Sequence, residues 1–130
     1  MSFVLAVCAV IRDEDRVLAM RRAPHKDAGA GLWETVSGRV EVDEDPLEAV
    51  RREVVEETGL VVDVEPRPID CYVARRAGAP MCVVVYRATR RSGEVVRSDE
   101  HDAHAWLDRR QFRAITTLTR LADAVDRAFE

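Results

Sequence analysis

The feature that most constrains this chain is a pattern of glycine and charged residues between positions 38 and 60. Its members stand at fixed intervals, and they are Gly38, Glu44, Arg52, Glu53, Glu56, Glu57 and Gly59. Two further positions in the pattern, Val54 and Leu60, are apolar. Gly38, at the junction of a predicted strand and a loop, allows close approach of the backbone.

Most of this pattern is predicted to lie on one helix. Asp45 is typical of an N-cap, Pro46 suits the first helical position, and Glu48 completes a capping-box pattern. At the other end, Gly59 before an apolar residue is typical of a left-handed helix end. The helix therefore extends from about Pro46 to Thr58.

The predicted helix has an apolar stripe and an acidic face. The stripe, which should face the core, consists of Leu47, Val50, Val54 and Thr58. Glu53, Glu56 and Glu57 stand at i, i+3 and i+4, so they share the neighbouring face. Glu44 adds a fourth carboxylate just before the helix, and Gly38 allows close approach of the backbone. A solvated acidic face is the alternative, but the combination favours a cation site.

Carboxylates in this number suit Mg²⁺ or Mn²⁺, which prefer hard oxygen ligands and bridge to substrate phosphates. Such a cation neutralises phosphate charge and lowers the pKa of a water molecule until it can attack phosphorus. Arg52 stands four residues before Glu56 and can pair with it, which would orient the carboxylates. An ordinary surface salt bridge is the alternative for Arg52.

The segment from Gly38 to Leu60 resembles a complete Nudix box, the motif of the Nudix hydrolase family. With residue frequencies of about 7% per position, a chance match in the chain is on the order of one in ten million. The resemblance implies an α/β fold in which a mixed β-sheet is sandwiched between helices, the α/β/α Nudix fold. It also implies cation-dependent hydrolysis of a nucleoside diphosphate linked to another group. The implied metal ligands are the carbonyl of Gly38 and the carboxylates of Glu53, Glu56 and Glu57.

The implied catalytic residues are Glu53, Arg52 and Glu100. Glu100 lies in a loop segment where the family often carries an acidic residue, so it is a candidate for an extra metal ligand or the general base. Glu53 is the competing base, and a solvated loop carboxylate is the alternative for Glu100. His101, beside it, is expected to be structural. Basic residues that flank the presumed cleft are candidate phosphate contacts, with solvated surface charge as the alternative: Arg21, Arg22, Lys26 and Arg39.

The substrate is expected to be a nucleoside triphosphate or a related small nucleotide. The proline of ADP-ribose members and the tyrosine of dinucleoside polyphosphate members are not evident in Arg75–Gly78. Hydrolysis of ADP-ribose or a dinucleoside polyphosphate is the alternative activity. A catalytically inactive nucleotide-binding or interaction module is the alternative of another class.

Composition sets the remaining expectations. The 130 residues suit one domain spanning positions 1–130, because the chain is too short for two ordinary domains. The net charge of −4 and scattered basic residues argue against a nucleic-acid polymer as a partner. The apolar run at 3–11 is too short to span a membrane. Three widely spaced cysteines, Cys8, Cys71 and Cys82, are expected to be buried free thiols of a cytoplasmic monomer or homodimer.

Alternation of apolar runs and turn residues predicts the other elements. Strands are expected at 3–11, 16–22, 32–37, 60–64, 69–75, 81–89 and 103–107. Turns or loops are expected at 12–15, 23–31 and 76–80. Apolar residues at helical spacing from Leu118 to Phe129 predict a terminal helix that is capped near Thr116 or Thr117.

Overall fold

A computed structural model describes residues 3–26, 29–76 and 78–130 of the protein. The elements, in chain order, are β1 (Val4–Asp13), β2 (Arg16–Arg22), β3 (Trp33–Glu34), β4 (Val36–Arg39), α1 (Pro46–Thr58), β5 (Val61–Val64), β6 (Asp70–Arg76), β7 (Ala79–Ser92), β8 (His101–Leu107), α2 (Arg109–Ile115) and α3 (Thr119–Arg127). The strands form one mixed sheet, which confirms the predicted α/β class.

Strand β1 is the centre of the sheet. It pairs in parallel with β7 from Val4↔Met81 to Arg12↔Thr89, and antiparallel with β4 on its other edge. The long β7 also pairs antiparallel with β6 over its first half and with β5 over its second half. Strand β8 joins through β2, with an irregular register between Arg21 and Arg22. This pairing carries His101, at the start of β8, towards the middle of the molecule.

Helices cover both faces of the sheet, and a hydrophobic core lies under each. Alternate residues of β1 enter different cores, as the period of two in a strand requires. Val7 and Ile11 pack with Val50 and Val54 of α1 on one face. On the other face Val10 packs with residues of α2 and α3: Phe112, Leu121, Ala122, Ala124 and Val125. The predicted sandwich of a sheet between helices is therefore confirmed.

Helix α1 has the predicted limits, but its first turn differs from the prediction. Gly59 ends the helix in the left-handed conformation at φ 68°, and its N–H donates to the Val55 carbonyl oxygen, as predicted. Pro46 occupies the first turn, also as predicted. Asp45 has an extended N-cap backbone, yet its side chain makes no capping hydrogen bond, so the predicted capping box with Glu48 is wrong.

Several other elements differ from the predictions. The expected strand at 32–37 is two short strands, since β3 pairs with β2 whereas β4 pairs with β1. Helix α2 was not predicted, because only Phe112 of its seven residues is buried and so no periodic stripe marks it. Helix α3 begins at Thr119 with Leu118 as N-cap, so the predicted threonine cap is wrong. Most of the expected loop at 76–80 is strand instead, since β6 ends at Arg76 and β7 begins at Ala79. Residue 77, and residues 27 and 28 of the expected loop at 23–31, lie outside the described residues.

The cysteines only partly follow the prediction. All three are free thiols, and Cys8 is buried, as predicted. Cys71 is exposed and Cys82 is half-buried, since neither belongs to the hydrophobic core on either face of the sheet, so the prediction that they are buried is wrong. Their sulfur atoms lie 3.6 Å apart on adjacent strands. Within the ranges that the structure describes, no helix has both the length and the apolar character needed to cross a membrane.

Candidate active site

The site forms where α1 packs against β4. Gly38 of β4 faces Glu53 of α1 so closely that a Cβ atom on Gly38 would overlap the whole Glu53 carboxylate group. Gly38 therefore leaves the space in which this carboxylate lies. Glu53 is only 8% exposed, so its side chain lies inside the molecule against the glycine backbone.

Three carboxylates converge at this point. Glu53, Glu57 and Glu100 each offer an oxygen, and these atoms all lie within 4.8 Å of one another. Glu57 is only 2% exposed, and neither of its oxygens has a hydrogen-bond partner in the described residues. Burial, with the nearby carboxylates of Glu53, Glu100 and Glu34, raises the pKa of Glu57 far above its usual value. Such crowding of acidic groups is unfavourable unless a proton or a cation compensates it.

Arg52 organises the carboxylates on the outer side of this group. Its Nε and Nη2 atoms donate to the two oxygens of Glu44 at 2.8 and 3.0 Å, as a planar fork. Its Nη1 atom donates to Glu53 at 2.8 Å and to Glu56 at 3.3 Å. The hydrogen bonds from Arg52, with one from the Glu41 backbone N–H, lower the pKa of Glu44 to about 2. The geometry thus suits an orienting role for Arg52.

Burial and hydrogen-bond partners distinguish the acidic residues of the motif at 38–60 from one another. Glu44 is bound to Arg52 rather than to the convergent group. Glu56 is also outside that group, and its side chain is 57% exposed beside Arg52. Glu100, which lies 43 residues after Glu57 in the chain, is inside it and pairs with Lys26 at 3.5 Å. The described side chains that come together are thus Glu53, Glu57 and Glu100.

A buried polar cluster behind the carboxylates was missed by sequence reasoning. Its centre is Glu34 of β3, which is 2% exposed and accepts from Arg22 at 3.3 Å and Arg76 at 3.4 Å. His101 Nε2 lies 2.9 Å from Glu34 Oε2. Burial alone would raise the pKa of Glu34, but the His101 hydrogen bond and the two arginine charges together lower it. An acidic residue inside an apolar strand run was the available signal, since such a residue needs partners.

A cleft of about 1170 Å³ connects these groups. Gly38, Glu53 and Glu100 line one part of it, and Tyr72, Met81 and Leu118 line another. This volume is sufficient for a nucleotide-sized molecule. The polar part of the cleft offers contacts for a charged group, and the apolar part offers contacts for a flat group.

The predicted basic residues do not all lie in this cleft. Arg22, Lys26 and Arg39 are among its lining residues. Arg21 is not among the described residues that line it, and its guanidinium is held by Asp102 at 2.7 and 3.1 Å. Arg76, which was not predicted, lines the cleft beside Glu34.

The convergent carboxylates fit a divalent cation. Buried Glu57 oxygens without partners would gain ligand contacts, and the oxygen-only set suits Mg²⁺ or Mn²⁺. Because Gly38 has no Cβ atom, the Glu53 carboxylate has room to contact the cation. Residues that could hold the cation are therefore present, with the cleft on their open side.

Comparison with known proteins identifies the family. The family model described as NUDIX domain matches residues 2–129. A MutT-like protein from Streptomyces ambofaciens is 34% identical over 122 residues, covering 92% of this chain and 74% of that protein. An oxidized purine nucleoside triphosphate hydrolase from Danio rerio is 33% identical over 109 residues, covering 82% of this chain and 67% of that protein.

A solved structure shows the same fold. The MutT protein from Methanosarcina mazei superimposes with a TM-score of 0.86 at 26% identity, covering 98% of this chain and 93% of that one. The chain therefore belongs to the Nudix hydrolase family and is a Nudix-type pyrophosphohydrolase.

Proposed function

We propose that this protein is one Nudix domain that hydrolyses a nucleoside triphosphate, or a related small nucleotide, with Mg²⁺ or Mn²⁺ in the cytoplasm. The observation that carries the proposal is the convergence of Glu53, Glu57 and Glu100 within 4.8 Å at a nucleotide-sized cleft. The Danio rerio relative, which is named for nucleoside triphosphate hydrolysis, supports the substrate class.

In this proposal different side chains bind the cation, accept a proton from water and contact the phosphates. Glu53 and Glu57 hold the cation with the Gly38 carbonyl as a further ligand, and Arg52 keeps Glu53 in place. Glu56, which lies outside the convergent carboxylates beside Arg52, joins the ligands only if its side chain turns towards them. A bound cation supplies neutralisation of phosphate charge and activation of water. Glu100, which faces both the cleft and the other carboxylates, is the candidate general base. Lys26, Arg22 and Arg39 line the same cleft and offer positive charge to the phosphates.

The test is a screen of purified protein against a nucleotide panel with Mg²⁺, Mn²⁺ or chelator. The panel contains ordinary and oxidised nucleoside triphosphates, ADP-ribose and dinucleoside polyphosphates, and the assay measures released phosphate and pyrophosphate. We expect cation-dependent hydrolysis of a triphosphate with release of pyrophosphate. Faster hydrolysis of ADP-ribose or a dinucleoside polyphosphate would contradict the proposed substrate class.

A matched pair of variants tests the carboxylates. Glu57→Gln should lower turnover by about tenfold to a thousandfold, because a charge at the reacting centre is lost. Glu48→Gln makes the same chemical change on an exposed position of α1 and should leave turnover as in the wild type. Nucleotide binding without hydrolysis of any panel member would instead identify an inactive binding module.

A further inference from the structure

His101 is enclosed between two buried carboxylates that come from different elements. Its side chain is 0% exposed, and those of Glu34 and Glu57 are 3% and 2% exposed. The Nε2 atom lies 2.9 Å from Glu34 Oε2, and the Nδ1 atom lies 3.5 Å from Glu57 Oε1. Neither Nδ1 nor the Glu57 oxygens have a hydrogen-bond partner among the described residues. One nitrogen of this buried imidazole has a hydrogen-bond partner, and the other points at a carboxylate. Packing alone does not account for this arrangement.

The Glu34 side of this arrangement is firmly held. Arg22 and Arg76 bind the Glu34 carboxylate, and their charges help to lower its pKa, so Glu34 is ionised and can only accept hydrogen bonds. His101 Nε2 therefore donates to Glu34, and Nδ1 can hold the Glu57 carboxylate by a hydrogen bond when it also carries a hydrogen. The bond to Glu34 fixes the plane of the imidazole ring and directs Nδ1 at Glu57.

The Glu57 side is the part that a cation would use. A carboxylate has two oxygens, so contact of Oε1 with His101 leaves Oε2 available to a cation between Glu53, Glu57 and Glu100. His101 is not among the described residues that line the cleft, so it reaches the site only through Glu57. Groups behind a metal ligand orient it, and their loss typically lowers metal affinity by about 10–100-fold.

We propose that His101 is a positioning residue that holds Glu57 in the orientation required to bind the cation, with Glu34 as its anchor. This inference rests on the proposed cation site. Its alternative is a histidine that only fills space in the core, whose replacement would change stability without changing cation affinity.

Two amide variants of His101 distinguish these possibilities, because each places a polar group near only one of the two ring nitrogens. In His101→Asn the amide lies near the place of Nδ1 and can still meet Glu57. In His101→Gln the amide lies near the place of Nε2 and can still meet Glu34. The experiment titrates Mn²⁺ into each metal-free protein without nucleotide and follows free Mn²⁺ by electron paramagnetic resonance. Thermal unfolding of each metal-free variant is recorded alongside.

We expect His101→Gln to weaken Mn²⁺ binding by about 10–100-fold and His101→Asn to weaken it less. At saturating Mn²⁺, turnover of His101→Gln should recover while its KM for nucleotide stays near the wild-type value. Equal losses, a reversed order, or wild-type affinity in His101→Gln would overturn the inference. If His101→Gln does not fold, His101→Asn decides: a measurable loss of less than about tenfold supports the inference, whereas wild-type affinity or a loss of about tenfold or more overturns it.

His104→Asn is the matched control, since it makes the same change on β8 outside this cluster. His104 is half-buried and its Nδ1 atom lies 2.6 Å from Arg97. Its Mn²⁺ affinity should equal that of the wild type. If the wild-type protein itself does not bind Mn²⁺, the proposed cation site fails. Wild-type binding with unaltered affinity in His101→Gln contradicts only the role of His101.

Discussion

At the scale of single residues, the partner of each carboxylate decides what it can do. Glu44 is bound by the Arg52 fork, and Glu53 shares the same guanidinium. Glu57 has no hydrogen-bond partner in the described part of the chain, and it is the most deeply buried acidic side chain of α1. Because an unpartnered buried carboxylate is costly, Glu57 is the acidic residue of α1 that most needs a compensating proton or cation.

Glu100 provides the sharpest test at this scale. Its side chain is 42% exposed, pairs with Lys26, and still reaches the convergent carboxylates. We expect Glu100→Gln to lower turnover by at least about tenfold, because it can no longer take a proton from water. Steady-state kinetics at several Mn²⁺ concentrations measure the effect. The neighbouring exposed residue supplies the control, since Asp99→Asn should leave turnover unchanged.

The metal dependence of the Glu100→Gln rate distinguishes two roles. A loss that persists at saturating Mn²⁺ with unchanged KM indicates a general base. A loss that is restored by more Mn²⁺ indicates a ligand. Wild-type turnover at all pH values and Mn²⁺ concentrations would remove Glu100 from the site and leave Glu53 as the candidate base.

At the scale of elements, the site depends on how closely β4 approaches α1. Gly38→Ala would place a methyl group on the Glu53 carboxylate. We expect this variant to lose at least about tenfold in Mn²⁺ affinity and turnover, since Glu53 must leave its position. Mn²⁺ titration and thermal unfolding measure the two effects separately.

Gly31→Ala is the control for the loss of a glycine. Gly31 has a φ of 78°, so alanine there strains the backbone, but its Cβ would enter open space. This variant should lose stability while it retains wild-type Mn²⁺ affinity. Normal Mn²⁺ affinity in Gly38→Ala would show that Glu53 does not need its present position.

Helix capping offers a second prediction at this scale. The Asp108 side chain accepts from the Gln111 backbone N–H, and the Gln111 side chain accepts from the Asp108 N–H. Asp108→Ala should therefore lower the free energy of unfolding by about 0.5–2 kcal/mol. Asp45→Ala, at the start of α1, should cost much less because Asp45 makes no capping hydrogen bond. Urea unfolding of both variants measures the difference, and equal losses would contradict this assignment of caps.

At the scale of the whole molecule, the sheet is covered on both faces, and the carboxylates sit at one edge of the core under α1. Burial of acidic groups there links the stability of the protein to the binding of protons and, in the proposed function, to the binding of a cation. In the metal-free protein, the folded state keeps a proton on Glu57 at pH values where the unfolded chain has released it.

The sign of this linkage gives a prediction for pH. Because folding raises the pKa of Glu57, the proton on this residue stabilises the folded state. This contribution to the free energy of unfolding is fully present below the pKa of Glu57 in the unfolded chain, about 4.3, and is lost as the pH rises above that value. Glu57→Gln has no such proton to lose. In chelator, the melting temperature of Glu57→Gln minus that of the wild type should therefore increase between pH 5 and pH 8. A constant difference over this range would contradict the raised pKa.

Added Mn²⁺ should reverse the difference in melting temperature between Glu57→Gln and the wild type. A cation competes with the proton for Glu57, so at pH 8 saturating Mn²⁺ should raise the melting temperature of the wild type more than that of Glu57→Gln. Differential scanning calorimetry with and without Mn²⁺ measures both effects on the same samples. Equal stabilisation of the two proteins would show that the cation binds elsewhere.

The sequence by itself determined the parts of this protein that depend on local geometry. The limits of α1, its end at Gly59 and most of its apolar stripe follow from helix periodicity and from the freedom of glycine. In the structure Val50, Val54 and Thr58 are buried, and Leu47 is partly buried against the same core. The family was likewise evident, because the Nudix box lies within one short segment. For the same reason Glu53 and Glu57 could be placed together, one helical turn apart.

Only the tertiary structure decided which distant groups meet. Glu34 and His101 are 67 residues apart, and they are hydrogen-bonded because β3 and β8 both pair with β2. Burial of Glu57, exposure of Cys71 and the absence of a cap at Asp45 also depend on what packs around each side chain. The strength of a polar contact is set by burial and by competing partners, and both arise from contacts between segments that are far apart in the chain.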